Sequence, residues 1–303
     1  MSYREDQRKK AIFQMESVFK DPGNGIFFGK KRDFVLAEPI INLWEGIRRD
    51  SIDYFKQNKI TWWNGADEEP TGHLLSSQIA CINHLYFIRQ RKDLATAVLM
   101  NIDSSIETAE LVDDGYIEFE FVGEKDYLNE VSRTRGANCT SVDAVMIGKN
   151  KIGQRKMFLI EWKYTEEYAV DDKYTQPRAI RYDDLICAGD SPFLNAVSLS
   201  AYYYEPFYQL MRQTLLGWQC VKNGDHNASD YLHIHVVPKE NKELRDRVTS
   251  SELKGNDIHD AWRGVLKDPS KFLAITPQEL ILPLKELKDT KSILYYLNMR
   301  YWQ

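Results

Sequence analysis

The sequence predicts an α/β fold, a mixed central sheet packed by helices, with helical extensions at both ends. Three observations carry this. Apolar residues recur at helical spacing through the first hundred residues. Three strand-forming segments then follow in quick succession after Asp114-Gly115, a turn signal. An amphipathic helix leads from these into a further apolar strand that stops at Pro238, so the middle of the chain reads helix, three strands, helix, strand.

Within the first 60 residues, Ala11, Ile12, Met15, Val18 and Phe19 share a helical spacing. Ile40, Ile41, Leu43, Trp44 and Ile47 repeat it, followed by Ile52 and Phe55. A turn-rich stretch over 64–72 interrupts the pattern, and another helix is expected over about 74–100, carrying Leu75, Ile79, Ile82, Leu85, Tyr86 and Ile88. The segment 116–122 alternates Ile117, Phe119 and Phe121 with Glu118 and Glu120, the period of a half-buried strand. The segment 139–147 supplies Val142, Val145 and Ile147 and ends at Gly148-Lys149-Asn150. Residues 157–164 are apolar on both faces, as a central buried strand requires. A long helix begins near Glu205-Pro206, with a stripe of Phe207, Leu210, Met211, Thr214, Trp218 and Val221. After the turn Asn223-Gly224-Asp225 comes the strand 231–237, and the tail adds two or three helices and a short strand at Phe272–Ile275.

The 303 residues are 43% hydrophobic and 28% charged, enough apolar material for a sizeable core. Aromatics at 12% exclude wholesale disorder. The net charge of −5 means that nucleic-acid binding would need a locally basic surface or a bridging cation. The N-terminus is too charged for a signal peptide, and no apolar run approaches the ~18 residues of a membrane helix, so no membrane role is expected. The four cysteines are scattered without a CxxC pair, which points to a reducing cytoplasm rather than disulfides or structural zinc.

The informative feature is an apolar strand interrupted by Glu161 and Lys163. Residues i and i+2 of a strand share a face, so these two emerge side by side while Ile160, Trp162 and Tyr164 face the other way. Asp143 interrupts the preceding strand in the same manner. If the two strands form an antiparallel pair closed around 148–155, the register can bring Asp143 beside Glu161. Two converging carboxylates repel unless a cation lies between them, and hard divalent ions take such oxygen ligands. A lysine beside that ion can orient an attacking water and offset charge on a phosphate. The bland alternative is a surface Glu–Lys pair worth under ~1 kcal/mol, but the strongly apolar flanks argue against a solvated face.

Thr140-Ser-Val-Asp143 followed by Ile160-Glu161-Trp-Lys163-Tyr-Thr-Glu166 resembles the signature of the PD-(D/E)XK nuclease superfamily, whose restriction-endonuclease-like core runs α-β-β-β-α-β. The nearest likeness is to bacterial proteins described as restriction endonucleases, through Ser76-Ser77-Gln78, Arg135-Gly136-Ala-Asn138-Cys-Thr140-Ser141-Val-Asp143 and Ile160 to Glu166. It covers roughly the middle half of the chain. The resemblance implies Asp143 and Glu161 as metal ligands, the backbone carbonyl of Trp162 as a further one, and Lys163 as the catalytic lysine. It implies Mg²⁺, with Mn²⁺ substituting, and DNA as substrate. Val142 stands where the motif's proline is named, and Gln78 where many members carry a glutamate. The third acid therefore stays open among Gln78, Glu118 and Glu120, and Glu166 is a further supporting candidate. The expected division is an N-terminal helical extension over 1–70, a nuclease core over 71–240 and a C-terminal helical extension over 241–303, packed as one unit.

Gln209 and Gln213 lie i, i+4 on the long helix beside Arg212, a face suited to a phosphate backbone or to the surroundings of the metal, or simply a polar helix face. Arg133 and Arg135 precede the strand of Asp143 and are candidate phosphate contacts, since arginine grips phosphate in a fork. His233 and His235 share a strand face but lack a third ligand, so packed histidines are expected rather than zinc. The resulting expectation is a metal-dependent DNA endonuclease, a homodimer if it cuts both strands of a duplex. The rival is a nucleic-acid-binding or protein-interaction domain that keeps the fold without catalysis.

Overall fold

The computed structural model describes residues 2–65, 68–130, 132–137 and 139–302. Ala66 and Asp67 of the turn-rich stretch, and Asn138 of the Arg-Gly-x-Asn motif, lie outside the described residues. Helix α1 (Tyr3–Gln14) opens with a capping box, in which Ser2 accepts from the Glu5 N–H and Glu5 accepts from the Ser2 N–H. A small hairpin, β1 (Ile26–Phe27) and β2 (Lys30–Lys31), precedes α2 (Arg48–Gln57), α3 (Ser77–Leu85) and α4 (Lys92–Ile102). The sheet strands are β3 (Ile106–Glu110), β4 (Glu118–Phe121), β5 (Val142–Asn150) and β6 (Arg155–Trp162). Helices α5 (Gln176–Cys187) and α6 (Phe207–Asn223) then cross over to β7 (Ala228–Val236), and β8 (Phe272–Ile275) completes the sheet.

The strand order is β3-β5-β6-β7-β8, and β4 also pairs with β5. β3 takes the Ile147–Asn150 end of β5 and β4 its Val142–Val145 end, so the two together make one edge. β5 and β6 are antiparallel, from Ala144↔Ile160 to Lys149↔Arg155, whereas β6, β7 and β8 run parallel. Alternation along the strands splits the core into two layers. Ala144, Met146, Phe158, Ile160 and Trp162 pack with α3 and α4, while Val145, Ile147, Met157 and Leu159 pack with α5 and α6. Among the described residues, no helix is long and apolar enough to cross a membrane.

Five elements depart from expectation. The helix expected over 74–100 is broken between α3 and α4, because Arg89 turns inward. Its guanidinium pairs with Asp113 and Asp114 and lies over the Tyr54 ring, 4.3 Å from the centroid, and its carbonyl accepts from the Tyr116 N–H. The helical pattern at Ile40–Ile47 is only a 3-10 turn at Pro39–Asn42, since the buried Asn42 side chain donates to the Thr71 and His73 carbonyls. β5 runs through Gly148 instead of turning there. A side chain on Gly148 would meet Ile106 and Phe158 at 3.0 Å, so this glycine serves close packing, and the turn falls at Gly153, with φ +84°. β3 and α5 had no clear sequence signal: β3 is a short edge strand whose sequence, Ile-Glu-Thr-Ala-Glu, buries only two side chains.

Candidate active site

Continuing the β5–β6 register by one pair beyond Ala144↔Ile160 sets Asp143 opposite Glu161. Asp143 is half-buried, and its Oδ2 accepts from the Trp162 N–H at 2.6 Å. Glu161 and Lys163 are only 4% and 5% exposed, although charged residues are rarely so deep without partners. Lys163 Nζ donates to Glu161 Oε1 at 2.7 Å and to Gln209 Oε1 at 2.6 Å. Gln209 Nε2 donates to the same Glu161 oxygen at 2.8 Å, and Gln213 Nε2 donates to the other one and to the Ser141 carbonyl. The polar face of α6 thus fixes both oxygens of Glu161.

The third carboxylate in this cavity is Glu120. Its Oε1 accepts from Gln78 Nε2 at 2.7 Å and its Oε2 from Ser141 Oγ at 3.0 Å. Simple alternation would put Glu118 and Glu120 on one face. Glu120 instead has φ +51°, a left-handed conformation uncommon outside glycine, asparagine and aspartate. The kink sends Phe119 into the α3 layer and Phe121 into the α6 layer, and Glu120 into the cavity. Glu118 does not line the cavity; it pairs with Arg135 at 3.2 Å, which removes it from the third-acid candidates.

Neither arginine proposed for phosphate lines the cavity. Arg133 donates to the Gly123 and Glu124 carbonyls, and Arg135 to the Phe119 and Glu120 carbonyls and Tyr54 Oη. The fork geometry that suits phosphate is spent on backbone oxygens, and Arg135 instead clamps the kink that aims Glu120. Ser76 caps α3 by accepting from the Ile79 N–H, and with Ser77 and Gln78 it also lines the cavity. Glu166 lines it too, its carboxylate accepting from the Tyr164 N–H at 2.6 Å. His233 bonds Thr214 and His235 bonds His259 at 3.0 Å; burial pushes the first down to about 3 and His259 to about 4, so these are neutral packed imidazoles.

The cavity, about 530 Å³, is lined by Asp143, Glu161 and Glu120 together with Glu166 and Glu167, against the cations Lys163 and Arg4. Burial, then the charges of Glu161 and Glu120, hold the Asp143 carboxyl well above the usual range. Burial also pushes Glu120 up to about 7, with Glu161 adding to it and the bonds from Gln78 and Ser141 opposing. For Lys163 burial acts to discharge it, but neighbouring Glu161 outweighs this and holds the ammonium above its ordinary value. Such a donor set suits a hard divalent cation, which would replace the protons these acids retain. Among the described residues, no group of three or more His, Cys, Asp or Glu side chains is placed to hold a metal ion, so an ion here would rest on two carboxylates, with water and backbone oxygens in its remaining positions. Ser141, which ties Glu120 to Gln213 through its hydroxyl and carbonyl, had no sequence signal beyond its place in the motif.

The strand order with the parallel β6–β7 crossover, together with the acids and the lysine at the β5–β6 end, defines a restriction-endonuclease-like α/β core. The model of the family described as Restriction Endonuclease associating with ARP matches residues 14–302, and the chain belongs to that family. No curated protein and no solved structure matches it.

Proposed function

We propose that the protein is a cytoplasmic, Mg²⁺-dependent DNA endonuclease, with Mn²⁺ able to substitute. The observation that carries this is the convergence of Asp143, Glu161 and Lys163 in one cavity from adjacent strands of a restriction-endonuclease-like core. Asp143 and Glu161 would hold the metal with the Trp162 carbonyl, and Glu120, steadied by Gln78, is the third acid. When bound, the ion would neutralise phosphate charge and make a water more acidic. Lys163 holds that water in line with the phosphodiester and offsets charge as it builds on the phosphate. Gln209 and Gln213 stop Glu161 from rotating, so its oxygens stay preorganised. In this reading 71–240 is the nuclease core, and 1–70 and 241–303 serve DNA recognition or a two-fold dimer. The family's description names an association with ARP, and we extend that association to this chain.

The test incubates supercoiled plasmid and labelled oligonucleotides with the protein in Mg²⁺ or in EDTA. Cleavage in Mg²⁺ alone, lost in Asp143→Ala, is the expected result. Binding without cleavage in either metal would make the chain a nucleic-acid-binding module that keeps the fold.

A further inference from the structure

Resting on the nuclease reading above, we propose that the cavity takes DNA as a single-stranded segment. The nucleotide beside the scissile phosphate enters unpaired and stacks on an aromatic wall made by Phe27, Phe28 and Trp63. These three rings and His73 line the same cavity as Asp143, Glu161 and Lys163. Ring centroids lie 4.4 Å apart for Phe27–Phe28, 5.9 Å for Phe27–Trp63 and 4.6 Å for Phe27–His73, a continuous apolar surface. Its inner members are covered and its outer ones are open: His73 is buried, whereas Phe28 is 75% and Trp63 42% exposed.

Folding alone does not account for Phe28. It occupies the two-residue turn between β1 and β2, with φ +48° followed by Gly29 at +70°. Positive φ at both turn positions suits Asn-Gly, and a bulky ring there is disfavoured by the backbone and unshielded from water. Lys30 and Lys31, both exposed, follow at once, so the hairpin offers an apolar tip on a basic arm. Trp63 is tied to the acids through the Gln78 side chain: the Trp63 backbone N–H donates to Gln78 Oε1 at 2.9 Å, and Gln78 Nε2 donates to Glu120. The backbone at Trp63 and the acid centre thereby share one anchor.

A base inside a paired duplex has both faces covered by its neighbours, so an aromatic surface sharing a cavity with the acids gains nothing from it. An unpaired base has a free face, and aromatic stacking on it tolerates any sequence. Arg4 and Lys163 line the cavity and the exposed Lys30 and Lys31 stand on the hairpin, so these cations meet the phosphates while the stacked base supplies the preference for an unpaired strand.

The test is fluorescence anisotropy on the full chain in Ca²⁺, with a single strand, a duplex carrying a central unpaired bubble, and a fully paired duplex. Wild type should bind the first two at least about tenfold more tightly than the third. Phe28→Ala and Trp63→Ala should each weaken the first two by about 5- to 150-fold, the range of one lost base–aromatic stack. Affinity for the paired duplex should stay within about twofold and the salt slope unchanged, and Trp63→Phe should restore most of the preference. Because Phe28 is exposed, its variant should melt with wild type. Equal affinity for all three DNAs, or an intact preference in both alanine variants, overturns the proposal. If Mg²⁺ cleavage then persists on paired DNA, the nuclease reading survives and only the single-strand inference falls. If no DNA binds at all, both fall. If stacking-dependent binding persists without cleavage, the inference stands and catalysis does not.

Discussion

Two carboxylate centres flank the Thr140–Asp143 segment and are built on opposite principles. Glu130, 8% exposed, accepts from the Thr140 N–H at 2.6 Å, the Thr140 hydroxyl at 2.5 Å and the Tyr182 hydroxyl at 2.6 Å, with Arg212 at 4.0 Å. That is one acid saturated by neutral donors with a cation beside it, the pattern that lets a buried charge hold chain together. Three residues along, Asp143 stands with Glu161 and Glu120 against the ammonium of Lys163, and two of the three acids retain protons more tightly than usual. Saturation marks a structural carboxylate; surplus negative charge marks a place prepared for something positive.

The largest expected effects separate the two centres by what is lost. Asp143→Ala should abolish metal-dependent cleavage, and Lys163→Ala should slow it by about 10²-fold or more. DNA binding in Ca²⁺ should change little; because Lys163→Ala also breaks a buried pair and lowers the melting temperature, its rate is read per folded molecule. A structural Glu161–Lys163 pair would instead give a large fall in melting temperature with normal activity per folded molecule. Glu130→Ala should behave in that second way, costing about 3 kcal/mol by leaving the Thr140 N–H, the Thr140 hydroxyl and the Tyr182 hydroxyl without their acceptor. Denaturant titration with a parallel assay checks it; unchanged stability would make Glu130 something other than a strut.

A third expectation concerns pH. Burial raises Glu118 to about 7, against an ordinary value of 4.5, with Arg135 opposing. Glu120 is raised to the same value. The folded chain therefore holds these protons more tightly than the unfolded one. This stabilisation is complete below about pH 4.5 and is lost as pH rises through about 7, by at most about 3 kcal/mol for each group. Glu118→Gln should flatten part of that fall whether or not Mg²⁺ is present. The Glu120 part should disappear only when Mg²⁺ is added. Denaturation midpoints between pH 4.5 and 8 read both, and a stability that rises over this window would contradict the assignment.

The smallest effect is expected at Gln78. Gln78→Glu adds a carboxylate beside Glu120, so Mg²⁺ should bind several-fold more tightly and the metal-free protein should melt lower. An unchanged Mg²⁺ titration would leave Gln78 as a polar strut between α3 and the strand, and no more.

The acid pair and the lysine were legible because period-2 alternation and an apolar flank suffice to place them on one face. The short strand expected at Phe272–Ile275 is β8. Glu120 was legible only as one of three candidates, since its direction depends on a positive φ at a non-glycine residue that Arg135 holds by its carbonyl, a tertiary constraint with no local signature. For the same reason Arg133 and Arg135 read as free cations in sequence and are spent on carbonyls in the fold. The break at Arg89 was hidden likewise, because an inward ion pair with Asp113 and Asp114 overrides an unbroken helical pattern.

The central claim is that Asp143 and Glu161 share a divalent cation. Calorimetric titration of the metal-free protein with Mg²⁺, at pH 6.5 in two buffers of different ionisation enthalpy, tests it most directly. The account predicts saturable binding that releases protons, since the ion displaces those held by Asp143 and Glu120, and its loss in both Asp143→Asn and Glu161→Gln. Binding that persists unchanged in the two variants, or no binding in the wild type, would contradict it.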